Sequence, residues 1–259
     1  MKKIIYSWIL CLYPLFSYAQ DSIPPDAYPV KHSLGLHLHS LVNQTLDHSI
    51  SSLTYLGGGI GGGVSYEATH PKRFQQVKLH TGLNAMGPIT GNELSDALQG
   101  AFHFIIGYDY LRSIIRQPSY RLLLGPSFIS QSNIRYNTLL SNSAVTYDSF
   151  SGLTLSGRLE ASLPIRHRTL RPYLQTQLGI LGLGIRPFYA TTLKVDTLYT
   201  YLATIGNHPF FLNELGINYP LQNGNALALS YTWNYYSVHE FNTVWNATHF
   251  LRFSLFFDL

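Results

Sequence analysis

Along most of the chain apolar and polar residues alternate one for one. That period of two belongs to a strand whose two faces meet different surroundings. The cleanest case sets Leu153, Leu155, Leu159, Ala161 and Leu163 against Thr154, Ser156, Arg158, Glu160 and Ser162. In residues 31–41, Leu34, Leu36 and Leu38 oppose Ser33, Gly35, His37 and His39. The same pattern predicts strands over 54–69, 74–85, 101–111, 120–130, 171–186, 209–219, 227–235 and 247–259. Ten strands are expected in all. In the seventh, "LGILGLGI" is apolar on both faces, which predicts a bulge or bend.

The connections alternate long and short. The long ones include 131–150 and 189–208; the short ones are "HPKR", "RSIIRQPS", "PIRHRTLR" and "PLQNGN". The last contains Asn223-Gly224, a strong hairpin signal. Ten-residue alternating segments with tight turns on one rim and long loops on the other predict a transmembrane barrel. The expected fold is all-β: an antiparallel up-and-down barrel of about ten strands, with both termini on the tight-turn, periplasmic side. Closure is required because hydrocarbon offers no partner to a free strand edge. Aromatic residues predict two interfacial girdles: Tyr66, Tyr108, Tyr110, Tyr219 and Phe257 near the turns, and Tyr55, Phe102, Phe128, Trp233 and Tyr235 near the loops.

The N-terminus adds the compartment. Lys2 and Lys3, the apolar run Ile4 to Phe16 and Ser17-Tyr18-Ala19 read as a signal peptide, residues 1–19, cleaved after Ala19. A short periplasmic segment, 20–30, then precedes the barrel, 31–259. Cys11, the one cysteine, falls in the leader, so no disulfide is expected. Charged residues are 12% and aromatics 14% of the chain, a skew that suits a lipid-facing barrel. Without Lys2 and Lys3, 15 basic residues face 13 acidic ones, which argues against a nucleic-acid partner.

A leader ending "SYAQ", ten alternating strands and the terminal strand "THFLRFSLFFDL" together resemble outer-membrane β-barrel proteins of Gram-negative bacteria, of the Bacteroidetes kind. The resemblance spans the whole mature chain. It implies residence in the bacterial outer membrane, contact with outer-membrane lipids and lipopolysaccharide, and handling by the barrel-assembly machinery. Leu259 stands where such barrels often end in Phe. No particular activity is implied, because this fold hosts many.

Candidate chemistry lies on the polar row. The run "LGGGIGGGVSYEAT" has no phosphate-loop signature and reads as a strand, with a lumen stripe of Gly57, Gly59, Gly61 and Gly63 that leaves room for inward side chains. His37, His39, His80 and His103 point inward; they could fill space or hold a metal, and no metal or other cofactor is assigned. Glu67, Lys78, Asp109, Arg121, Arg158, Glu160 and Arg252 form the expected lumen polar network, either filling a narrow barrel or lining a solute path.

Two catalytic arrangements are conceivable. Ser40 and His249 share the outward row near the loop rim, where lipid hydrolases of this fold class place such a pair. Ten-stranded outer-membrane proteases use an Asp–Asp pair and an Asp–His pair at the loop rim; here Asp47-His48 is an adjacent pair in the first long loop, Asp96 and Asp148 are single acids in others, and no Asp–Asp pair exists. The expected function is non-enzymatic. Either small solutes pass, or the barrel is the membrane-embedded partner of another envelope protein. The alternative is a hydrolase acting on lipid or peptide at the outer rim.

Overall fold

The computed structural model describes residues 30–48, 52–89, 99–137, 145–165, 168–187, 198–240 and 243–259. The expected leader, its cleavage site, residues 20–29 and Asp96 lie outside them. The elements are strands: β1 (Lys31–Asp47), β2 (Thr54–Thr69), β3 (Arg73–Pro88), β4 (Gln99–Arg116), β5 (Tyr120–Asn137), β6 (Val145–Ala161), β7 (Leu163–Ile165), β8 (Arg168–Pro187), β9 (Leu198–Thr204), β10 (Phe210–Pro220), β11 (Ala226–Val238) and β12 (Val244–Asp258). All the pairings are antiparallel, and β12 pairs β1 from Ser33↔Asp258 to Asp47↔Val244. The ladder closes on itself, as the alternation predicts.

Twelve elements make ten walls. The three residues of β7 only extend the β6–β8 hairpin. β9 and β10 share one wall position, for both pair with β8: β9 with its upper half, Leu181 to Pro187, and β10 with its lower half, Arg171 to Leu178. Residues 205–209 interrupt that wall. There Asn207 binds back onto β9: its Oδ1 accepts from Thr204 N at 2.7 Å, and its Nδ2 donates to Leu202 O at 2.8 Å. The expected bulge is present in β8, where Leu153↔Leu181 is followed by Thr154↔Gly179, so Ile180 is the unpaired residue.

The outward row is apolar. On β1 it runs from Leu34 to Val42, eight residue steps or about 26 Å of strand. Tilted as barrel strands are, that is about 20 Å of wall height. Among the described residues no helix is long and apolar enough to cross a membrane. Tyr66, Tyr108 and Tyr219 are exposed near the turns, and Phe102, Phe128 and Trp233 toward the other rim.

Several expectations need correction. Tyr55 is not in the outer girdle: it points inward, and Asn137 Nδ2 donates to its hydroxyl at 3.2 Å. Asp258, on the inward row opposite Ser33, is exposed at the rim and pairs with Lys31 at 3.5 Å, beside the Lys31 Nζ bond to Gly224 O. The segment 131–150 is mostly strand, as is 198–204, because both continue the alternation past the points where it fades by eye. Asn43 and Asn246, which match glycosylation sequons, are buried strand residues bonded to each other at 2.9 Å.

Candidate functional site

The lumen holds the candidate chemistry, and it is built in layers. The glycine wall comes first. A Cβ on Gly61 would lie 2.2 Å from His39 Nε2, on Gly63 2.4 Å from His80 Nδ1, and on Gly82 2.2 Å from His103 Cε1. A Cβ on Gly59 or Gly57 would lie 1.9 Å from the carbonyl oxygen of Leu83 or Ala85. No glycine of β2 has positive φ; among the described residues only Gly224, in the Asn-Gly turn, does (φ 87°). The stripe therefore answers a need for space, not for backbone freedom. Its glycines let β3 approach and give the imidazoles somewhere to lie.

All four histidines face inward and are buried. His37 bonds Ser254 Oγ at 2.7 Å through Nδ1 and Ser65 Oγ at 2.8 Å through Nε2. Its ring lies 5.1 Å from that of His80, while His39 lies 6.0 Å from His80 and 6.1 Å from His103. Phe250 packs edge-on against both His39 and His103, at 5.3 Å. Among the described residues no group of three or more His, Cys, Asp or Glu is arranged to hold a metal ion.

Toward the tight-turn rim the lumen holds ion pairs. Arg121 Nε donates to Glu160 Oε2 at 2.5 Å and Arg158 Nε to Glu160 Oε1 at 2.6 Å. The Arg158 guanidinium also lies 4.3 Å over the Phe74 ring and 4.1 Å over the Tyr173 ring. Gln76 Nε2 donates to Glu67 at 2.7 Å. Asp109 accepts from Lys78 at 3.3 Å, Gln175 at 3.1 Å and Gln177 at 2.6 Å. Glu214 accepts from Tyr173 at 2.5 Å and pairs with Arg252 at 3.3 Å. The seven charged residues read from the sequence thus lie in one connected region of the lumen. Their partners Glu214, Tyr173, Gln175 and Gln177 were missed; Gln175 and Gln177 were visible on the inward row of the seventh predicted strand. A cavity of about 40 Å³, bounded by Glu67, Arg121, Arg158 and Glu160, has room for a few waters.

Above this network the lumen turns apolar. Leu41, Ile105, Ile129, Phe150, Phe210, Leu212, Tyr236 and Phe250 are buried in one cluster reaching in from β1, β4, β5, β6, β10, β11 and β12. A cavity of about 10 Å³ between this cluster, His39, His80 and Arg252 has room for one water at most.

A second ion network caps the other rim. Asp47 and Asp148, expected in loops, are inward strand residues of β1 and β6. Arg135 Nη2 donates to Asp47 Oδ2 at 2.9 Å and also to Asp148 Oδ1, while Arg186 Nη2 reaches Asp47 Oδ1 at 2.5 Å. The Tyr236 hydroxyl donates to Asp148 as well. Asn133 Nδ2 donates to Tyr236 OH and Asn234 Nδ2 to Gln131 Oε1, each at 2.9 Å. β5 and β11 are not neighbours in the wall, so these bonds cross the lumen. Arg135 and Arg186 neutralise the rim acids, which leaves neither carboxylate free to activate a water.

Ser40 and His249 do lie on adjacent strands, offset by two in register: Ser40 faces Leu251, and His249 faces Val42. His249 Nδ1 is bonded to the Tyr231 hydroxyl at 2.5 Å, and no hydrogen bond joins it to Ser40. A nucleophile and its base are therefore not assembled here.

No family model matches the sequence, and no curated protein matches it. Among solved structures the chain is similar to the outer membrane protease OmpT from Escherichia coli, at 9% identity and a TM-score of 0.53, over 92% of this chain and 99% of that one. A second similar structure is the translocator domain of the autotransporter NalP from Neisseria meningitidis, at 9% identity and a TM-score of 0.46, over 98% of this chain and 96% of that one. At such identity the likeness to OmpT is one of fold: the closed ten-stranded antiparallel barrel of an outer-membrane protein.

Proposed function

We propose that the chain is an integral β-barrel of the bacterial outer membrane, with its termini on the periplasmic side, and that it acts without catalysis as the membrane-embedded partner of an envelope assembly. The observation that carries this reading is the filled lumen. Among the described residues two ion networks and an apolar layer occupy it, and hydrogen bonds cross it between non-neighbouring strands. A solute path needs continuous water, which an apolar cluster sealed by Phe150, Phe210 and Phe250 denies. The hydrolase alternative has less support, since Ser40 lacks its base and Asp47 and Asp148 are neutralised by arginines.

Two measurements test the reading. Refolded protein in planar bilayers is expected to give no conductance steps above background; steady channel openings would replace the partner role with transport. Native co-purification from the outer membrane is expected to recover a second protein in stoichiometric amount.

A further inference from the structure

One corner of the outer wall carries charge where lipid should meet it. Arg73 and Arg112 are direct partners in the β3–β4 ladder. Both are exposed, while the adjacent Phe74 and Leu111 point inward and are buried, so both guanidiniums leave the barrel on the lipid-facing row. Like charges directly opposite on one face repel, with Cβ atoms about 5 Å apart. Among the described residues neither arginine is in an ion pair, and the other ladder partner of Arg112 is Leu124. Lys72, exposed in the preceding turn, adds a third cation. His70 in that turn is held below its usual pKa range, first by desolvation and then by Arg73 and His32.

Gln75 and Tyr110 stand next to the pair on the same face, and beyond them the wall is apolar on both sides. Toward the membrane centre stand exposed Val77 and Tyr108, the latter held by a 3.3 Å bond from Gln75 Nε2. Toward the turn, an irregularity between Ser113 and Ile115 turns both Ile114 and Ile115 outward. A cation pair framed by apolar side chains on a lipid-facing wall lies at the headgroup level, where one kind of anion is abundant.

We propose that Arg73 and Arg112, with Lys72, clamp the phosphodiester of a phospholipid headgroup in the leaflet next to the tight turns. Each guanidinium offers a planar fork that matches phosphate oxygens two at a time, and Lys72 adds a point charge. The bound anion also removes the cross-strand repulsion. The proposal rests on the membrane reading above. An acidic protein segment suits the corner less well, because the isoleucines and tyrosine on either side want hydrocarbon.

The test uses the mature protein folded in detergent micelles, with native mass spectrometry after addition of phosphatidylglycerol or of diacylglycerol with the same acyl chains. Wild type is expected to retain phosphatidylglycerol with about ten-fold or greater preference over the R73Q/R112Q double variant. Diacylglycerol should be retained by neither. Arg112→Glu sets a carboxylate opposite Arg73 and relieves the repulsion without lipid, so it should fold and lose the lipid even if the double variant does not fold. Equal retention by wild type and heat-modifiable variants overturns the clamp. So does equal retention of diacylglycerol, or displacement of the lipid by an acidic peptide at matched charge. If wild type itself fails to insert into liposomes as a heat-modifiable species, the membrane reading fails instead.

Discussion

Gly61→Phe is expected to leave the barrel unfolded, with no heat-modifiable band on a gel, while Gly58→Ala folds normally. The two glycines lie three residues apart in the same run but on opposite faces. On Gly61 the first carbon of any side chain meets His39 Nε2 and the Thr81 carbonyl oxygen, both at 2.2 Å. The histidine could swing away; the backbone of β3 cannot without breaking the ladder. A phenyl ring added to that contact overfills the lumen, at a cost of about 1–3 kcal/mol or more. On Gly58 the nearest atom stands at 3.6 Å, ordinary contact, and the methyl group faces outward. Gly59→Ala makes a sharper version of the same test, since its methyl would lie 1.9 Å from the Leu83 carbonyl oxygen. Normal heat-modifiable folding of Gly61→Phe would mean that the stripe is not packed as described.

Arg135→Met is expected to be the most destabilising charge deletion, by about 3–5 kcal/mol, because it strands a buried carboxylate. Asp47 keeps Arg186 at 2.5 Å, but Asp148 loses its cation and retains only the Tyr236 hydroxyl and whatever neutral groups remain. Adding Asp148→Asn to Arg135→Met should restore most of the loss, since a neutral amide can still accept from Tyr236. Denaturant unfolding in lipid vesicles, followed by fluorescence of the outward Trp233, reads both effects. If the single variant loses under about 1 kcal/mol, the network is more hydrated than its burial suggests.

The faces of the strands were legible because lipid and lumen ask for different side chains. Leu34, Leu36 and Leu38 against His37 and His39 leave no other orientation for β1. The apolar layer was harder to see, though it left a trace. At Leu41-Val42, Ile105-Ile106, Phe128-Ile129 and Phe250-Leu251 two apolar residues stand side by side, so both faces are apolar there. Such pairs mark the height at which a lumen stops being polar. Tyr55 was misplaced because a tyrosine suits a headgroup layer and a polar lumen equally well. The partners of Asp47 and Asp148 were not legible at all. Arg135 meets Asp148, 13 residues on, through the β5–β6 hairpin, where Asp148 faces Asn133, but it meets Asp47, 88 residues away, only through the stagger of the closed barrel.

The broken wall between β9 and β10 has a consequence for self-association. Among the described residues the ladder partner of β9 is β8, and at Leu202 and Thr204 its other side is met by a side chain instead of a strand. Unpaired edges invite a second chain to add as a strand. Asn207 occupies that side from within: its amide takes the Leu202 carbonyl, its oxygen takes the Thr204 amide, and Glu240 holds its Nδ2 at 2.8 Å. One side chain thus stands in for a strand there and keeps the gap from serving as a template for aggregation.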